Sequence, residues 1–565
     1  MNIKETFSAK WLHFIVFFVV LLLVYGNSFT NPFIRDDVTY IQNNDSLKHM
    51  ENFKKIFTND YFSMTGELSY RPLATSSYFL NYALWKSNIK GWRISNTFLH
   101  FLNVCILYLL INTLFHDVKL SFIGSLVFAL HPINTESILG VSFNEELLFS
   151  FFSLLSIFFY VKKDFIEKVK QNYFIFLSCI MYILAVFSKE TAIILPLLIL
   201  VYDVSFKRKK RTLSYLFFLI ISGFYLWIRF IILPGTGQEL RVPYIGGSLI
   251  SNVLTMSKVF ITYLRLMILP VNLRQFYYFS ISRTLDLGVI MSFLGILTVI
   301  MILYLIRKKK SFFLFLWIIL PLIPVMNILP FLKNTYLSER YLYFSSMPAS
   351  LLIAMVSFQE YSWIKGNIIN FCRKIPLIGL IIFFTFTVIE RNKDWKDIFL
   401  FCKKGVEKES RSSYAHIALG NEYYKREMVR EAIQQFEVAI ELNKNFGPIH
   451  ITLGGLYHTS GQLDAAYTSY KKGFELGHNT SRGHFNFGLL LQKQGKYDKA
   501  IKAYETAIKI DGRFKNAYLL LSDLYIREKN YDKSIELLEK GISLNPNDSE
   551  IREKLQKIEK EIKAR

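Results

Sequence analysis

Cysteine is scarce, with four residues in a chain of 565. Cys105, Cys179 and Cys372 lie in or beside apolar runs and Cys402 stands alone, so neither a disulfide framework nor a zinc site is legible. Charge is also sparse, at 20% of residues against 52% hydrophobic and 16% aromatic. Over the first two thirds of the chain the apolar residues come in long unbroken runs, not in the amphipathic stripes of soluble helices, and this excludes a purely soluble protein. No small-residue cleavage pattern follows the run from Trp11 to Tyr25, which is therefore expected to stay as an uncleaved span. Acidic residues are few: 44 against 67 Lys and Arg, a net charge of +23. The excess sits in short clusters between apolar runs, where it orients a polytopic membrane protein by the positive-inside rule, so nucleic-acid binding is set aside.

Eleven spans of about 20 residues are expected, near 9–28, 94–115, 119–135, 146–161, 173–189, 191–205, 212–233, 286–306, 311–330, 342–359 and 375–391. This count puts the N-terminus in the cytoplasm together with the clusters Lys162-Lys163, Lys207 to Arg211, Arg307 to Lys310 and Arg373-Lys374. The stretch 252–270 carries Lys258 and Arg265, each expensive at a span's centre, and is read as a helix in the outer interface. The C-terminal region then lies outside the cytoplasm.

Two adjacent carboxylates, Asp36 and Asp37, stand where the chain leaves the first span. Like charges in contact near a low-dielectric slab titrate apart, which poises one as a proton acceptor. The plainer reading is an N-cap for a helix through Val38 and Ile41. They open an outer loop, 29–93, with amphipathic segments such as 52–59 and 76–85 expected on the membrane surface. In that loop Arg71 precedes Pro72, which holds its backbone extended. Its guanidinium suits a phosphate, or an ion pair with Glu67 or an aspartate. The predicted topology also brings His131, Glu136, Glu145, Glu146, Lys189, Glu190, Glu339 and Arg340 to the same face. Lys189 alone reads as a snorkelling helix-end lysine, but ionisable groups collected at one membrane face point to a site.

From about residue 396 the chain becomes amphipathic and repeats every 34 residues. Gly420, Gly454, Gly488 and Ser522 share one phase; Ala432, Ala466, Ala500 and Ser534 a second; Phe436, Tyr470, Tyr504 and Leu538 a third. This is the tetratricopeptide pattern of stacked helix pairs, with four units over 413–548, a leading helix at 396–409 and a charged terminal helix at 549–565. His416, His450 and His484 share a phase with Tyr518 and are packing residues, not metal ligands.

Taken together, Asp36-Asp37, Tyr70-Arg71-Pro72-Leu73, His131-Pro132 with Glu136, Ser188-Lys189-Glu190, Glu339-Arg340-Tyr341 and the trailing repeats resemble the transmembrane, tetratricopeptide-repeat-containing O-mannosyltransferases. The resemblance implies an all-α fold: a polytopic bundle of the C-type membrane glycosyltransferase class over 1–395, then an α-solenoid over 396–565. It implies transfer of a sugar, by inheritance mannose, from a polyprenyl-phosphate donor in the bilayer to Ser or Thr of a protein held in the repeat groove outside the cytoplasm. Asp36 and Asp37 carry over as the catalytic acids. Arg71, Lys189 and Arg340 are expected to meet the lipid phosphate, with His131, Glu136, Glu190 and Glu339 orienting donor or acceptor. A divalent ion, Mg²⁺ or Mn²⁺, on Asp36 and Asp37 stays an open alternative. Two other functions compete: an O-antigen ligase or polymerase, disfavoured by the short loop between Phe331 and Tyr341, and a non-catalytic repeat scaffold, which has no use for an acid pair at the lipid surface.

Overall fold

The computed structural model of the chain describes residues 3–66, 69–208, 212–233, 244–327, 337–358, 375–545 and 548–563. Glu67, Cys372, the cluster Arg373-Lys374, most of the loop 331–341 and parts of the cluster 207–211 and of the span 311–330 lie outside these residues. Among the described residues every regular element is helical, and the chain divides into two compact units, Met1–Lys404 and Gly405–Arg565.

In the first unit seven helices are long and apolar enough to cross a membrane: Trp11–Ser28, Ile89–Phe115, Val141–Phe165, Lys168–Ser188, Thr212–Ile232, Leu287–Ile306 and Ile375–Asp394. The pair Val118–Leu130 and Pro132–Leu139, bent by 48°, makes an eighth when counted as one. Three expected spans come out shorter. The run 191–205 yields the helix Leu195–Ser205, 311–330 yields Ser311–Ile319 followed by turns that start around Pro321 and Pro324, and 342–359 yields Tyr343–Phe358 with Pro348 inside. These runs are partly packed against protein, as buried Leu195, Leu198, Trp317, Leu351 and Ala354 show, while Leu197, Val204 and Val356 are exposed, and an apolar run alone does not separate a packed core helix from a lipid-facing one. The stretch at 252–270 is a 20-residue helix, Leu249–Ile268. Its Lys258 is clasped by Ser282 Oγ at 2.6 Å and Asp286 at 3.7 Å.

Helix starts follow local chemistry. Asn88, Asp117, Ser248 and Asp286 each accept a main-chain N–H of the first turn, and Pro72 opens Pro72–Trp85, where its missing donor would have been idle anyway. The loop 29–93 is more folded than surface-lying segments would be. Ile41, Leu47, Ile56, Tyr61, Tyr70 and Tyr78 form a core with Trp92 and Val141.

Helix Asn144–Lys162 is fastened at both ends. Its first turn carries Glu145 and Glu146. Past its last turn Lys163 is buried, 3.2 Å from Asp164 and 3.6 Å above the Tyr160 ring, while Tyr160 and Tyr215 both donate to Asp203.

The second unit is four helix pairs: Ser413–Lys425 with Val429–Leu442, Gly447–Thr459 with Leu463–Glu475, Ser481–Lys493 with Tyr497–Ile510, and Lys515–Arg527 with Tyr531–Leu544, closed by Ser549–Lys563. The glycine phase has a packing cause. A Cβ at Gly420, Gly454 or Gly488 would approach the ring of Phe436, Tyr470 or Tyr504 to 3.1, 2.8 or 2.5 Å. In the fourth pair Ser522 and Ser534 hydrogen-bond each other instead, at 2.8 Å. The histidine phase is structural: His416, His450 and Tyr518 each reach the carbonyl six residues earlier, and His484 stacks on Phe474 at 4.1 Å.

Candidate active site

The groups collected from sequence sit at helix ends and in the turns between helices, and ion pairs join most of them. The break at His131-Pro132 makes this possible. Proline ends the hydrogen-bond ladder of Val118–Leu130, Asn134 Nδ2 satisfies the freed Phe128 carbonyl at 2.9 Å, and the chain runs sideways through 132–143 before Asn144–Lys162 begins.

Asp36 and Asp37 part company. The Asp37 carboxyl is buried, and its Oδ1 accepts the Ser142 N–H at 2.7 Å, while its Oδ2 has no hydrogen-bond partner among the described residues. Burial pushes its pKa above the usual carboxylate range, partly offset by Arg93 and the Ser142 N–H. It precedes a turn of π-helix at Val38–Gln42 but makes no side-chain cap, so the N-cap reading gives way to a tie across 105 residues. The side chain of Asp36 is 43% exposed and faces Arg340, whose Nη1 lies 3.8 Å from Asp36 Oδ2.

Arg340 stacks 3.9 Å over the Phe143 ring, and its Nε and Nη1 are buried with no hydrogen-bond partner among the described residues. Burial disfavours its charge, yet Tyr341, Glu136, Glu145 and Asp36 outweigh burial and raise its pKa. Glu136 is a hub. Its Oε1 accepts Arg35 Nη1 at 3.2 Å, its Oε2 accepts the Arg340 N–H at 3.0 Å, and Ser338 Oγ donates to both oxygens.

The other two cations are committed. Arg71 forks onto Glu190, with Nε–Oε2 at 3.0 Å and Nη2–Oε1 at 2.8 Å, and reaches Glu145 at 3.3 Å. Lys189 is buried, pairs with Glu146 and lies 4.9 Å over the Tyr341 ring, so it is not a snorkelling lysine. Burial works against the charged form of Glu190, but Arg71 and Lys189 prevail and hold its pKa down to about 2.

His131 stands apart from the ion pairs. It is buried, its Nε2–H donates to the Met267 carbonyl at 2.9 Å, its Nδ1 accepts the Ile133 N–H, and its ring packs on Phe384. It braces the bend and joins none of the ion pairs. Glu339 is buried beside the cluster, accepting Tyr277 Oη at 2.6 Å and the Arg274 N–H, and pairing with Arg391 at 2.7 Å. Burial raises its pKa despite Arg391.

Three arginines were not anticipated as site residues. Arg35 precedes the acid pair with φ +56°, a left-handed conformation that costs an L-residue about 1–2 kcal/mol. Arg93, buried in the first turns of an apolar helix, donates to the Leu139 and Pro32 carbonyls and carries the charge nearest Asp37. Arg391 ends the last long helix. A charge inside an apolar run is the signal that would have found Arg93 and Arg391. Arg35, Glu136, Gln275, Arg391, Trp395 and Phe401 line a small polar pocket beside the cluster.

The Arg71 fork carries a prediction. Arg71→Met leaves Glu190 and Glu145 buried without their cation, a loss on the order of 3–5 kcal/mol. Because the folded pKa of Glu190 is depressed, its contribution is present above 4.5 and drains as pH falls towards about 2. Thermal denaturation of the full chain in detergent is expected to show a lowered midpoint for Arg71→Met at pH 7, with the gap to wild type narrowing below pH 4.5.

Residues 491–558 match the tetratricopeptide repeat family model. The chain is 36% identical to mouse protein O-mannosyl-transferase TMTC3 over 148 residues, which is 25% of this chain and 16% of that protein. It is 23% identical to protein O-mannosyl-transferase F38B6.6 of Caenorhabditis elegans over 463 residues, 78% of this chain and 64% of that one. The chain is a relative of the TMTC-like O-mannosyltransferases. It spans less than two thirds of the length of either of these relatives. Human TMTC1 is 32% identical over 196 residues, 32% of this chain and 22% of that protein. Among solved structures, the tetratricopeptide repeat protein YrrB is 25% identical, covering 34% of this chain and 94% of that one, with a TM-score of 0.26.

Proposed function

We propose that the first unit is a membrane glycosyltransferase that moves a sugar, mannose by relationship, from a polyprenyl phosphate to a Ser or Thr hydroxyl of a protein, with inversion at the anomeric carbon. The observation that carries this reading is an open carboxylate, Asp36, facing a guanidinium, that of Arg340, whose buried Nε and Nη1 make no hydrogen bond among the described residues.

In this scheme the acceptor Oγ attacks the anomeric carbon and Asp36 takes its proton. The bond from that carbon to the phosphate oxygen breaks, and its electron pair leaves with the lipid phosphate. The vacant Nε and Nη1 of Arg340 receive that charge. Docking of the phosphate draws Arg340 from Asp36 and leaves the carboxylate facing the hydroxyl. Arg71 and Lys189 act behind this pair. Each neutralises carboxylates that would otherwise repel the incoming phosphate, with Glu190 as the Arg71 partner and Glu339 steadying the turn that bears Arg340. A divalent ion shared by Asp36 and Asp37 suits this arrangement poorly, because Asp37 Oδ1 is committed to Ser142 and the described residues hold no group of three His, Cys, Asp or Glu placed to bind a metal. The scheme routes no step through one.

The long apolar helices suit a donor that arrives within the bilayer, and the proposed orientation puts Asp36 and the repeats outside the cytoplasm. The repeats present the acceptor polypeptide, as a groove between stacked helix pairs suits an extended chain. The test is transfer from labelled polyprenyl-phosphate mannose to Ser- and Thr-containing peptides by the full chain in lipid nanodiscs, paired with mass spectrometry of proteins from cells with and without the gene. Hexose on Ser or Thr that depends on the gene is the expected result. Its absence in both experiments counts against the proposal.

A further inference from the structure

Consecutive residues diverge at the acid pair: Asp36 is open and Asp37 is sealed in. What separates them lies one residue earlier. Arg35 holds a left-handed backbone, φ +56°, and its side chain, 23% exposed, lies among three rings and a carboxylate. Its guanidinium carbon lies 6.0, 5.4 and 5.8 Å from the rings of Phe143, Phe276 and Phe401, and Nη1 is bound to Glu136. The same Glu136 carboxylate grips the main-chain N–H of Arg340, and Arg340 in turn faces Asp36. Arg35, Glu136, Arg340 and Asp36 thus close a ring, with the 35–36 peptide bond as its last link.

We infer that Arg35 and Glu136 are a positioning pair. They hold the backbone that turns Asp36 outward and set its separation from the anion-receiving arginine, without touching substrate themselves. The inference rests on the reading of Asp36 as the base. Left-handed backbone is disfavoured for a residue that carries a side chain, and here one carboxylate and three rings hold that side chain in place.

Two measurements test it, one of which needs no turnover. In a background with Cys105, Cys179, Cys372 and Cys402 changed to Ser, Asp36→Cys is expected to react with a membrane-impermeant maleimide roughly tenfold or more faster than Asp37→Cys, following exposure. Adding Arg35→Ala is expected to bring the two rates within roughly threefold of each other, because accessibility governs the reaction. An unchanged ratio overturns the inference. In the transfer assay Arg35→Ala is expected to lower kcat roughly 10- to 100-fold with donor KM within about twofold, the signature of misplacement without lost binding. Arg35→Gly, which tolerates the left-handed backbone, recovers part of that loss, and adding Glu136→Gln to Arg35→Ala lowers kcat little further. A raised donor KM at constant kcat makes Arg35 a binding residue and overturns the inference. Should wild type transfer no sugar while the labelling ratio still collapses with Arg35→Ala, the transferase reading falls and the positioning pair stands.

Discussion

Asp36→Asn is expected to remove transfer almost completely, by roughly 10²- to 10⁴-fold in kcat, the usual contribution of a positioned general base. The amide keeps the shape of the side chain and cannot take a proton. Because Asp36 is 43% exposed and its ion-pair partner among the described residues is Arg340 at 3.8 Å, the variant should fold and melt like wild type. The neighbouring position supplies the contrast. Burial raises the pKa of Asp37, and an asparagine there keeps an oxygen for the Ser142 N–H. Asp37→Asn should therefore retain most activity per folded molecule, whereas Asp37→Ala leaves that N–H and Arg93 unanswered and should lower the melting midpoint. Radiolabel transfer normalised to folded protein separates these outcomes. Equal losses for the two asparagine variants would make the acids a single functional unit and remove the division of labour between them.

Replacement of Arg340 by Met is expected to lower kcat/KM by roughly 10²- to 10³-fold, the scale on which one preorganised charge donor acts on a leaving group. Arg340→Lys should recover little, because a point charge does not reproduce two nitrogens of a planar fork stacked on Phe143. The Glu136 bond is to the main-chain N–H of this residue and survives both changes, but Arg340→Met also takes a cation away from buried Glu136 and Glu145, so rates are compared per folded molecule. Steady-state kinetics with the lipid donor varied is the check, and a wild-type rate for Arg340→Met would transfer the role to another cation.

Much of this architecture was readable beforehand. The 34-residue phases mark the helix pairs because the glycines of the first three lie against a ring, as Gly488 does against Tyr504. The charged groups beside apolar runs marked the site, since nothing but function or pairing keeps Glu145, Glu146 and Lys189 out of water. Pairing was less visible, because a one-dimensional reading cannot say that Arg71 will choose Glu190 over an aspartate near it in sequence. His131 shows the same limit, since its partner, the Met267 carbonyl, is 136 residues away in sequence. The spans expected at 191–205 and 342–359 came out as Leu195–Ser205 and Tyr343–Phe358, where apolar composition alone does not separate contact with protein from contact with lipid.

The helix Asn144–Lys162, anchored by Glu145 and Glu146 at one end and by the Lys163, Asp164 and Asp203 knot just past the other, has 19 residues and so measures roughly 28 Å. In the proposed orientation a helix fastened this way would act as a ruler, holding the groups at its two ends a fixed distance apart as the surrounding bilayer thins or thickens. Headgroup depth then has to be matched by the lipid. Donor transfer in bilayers of graded acyl length should peak where the leaflet brings the phosphate level with the graduation that this ruler marks.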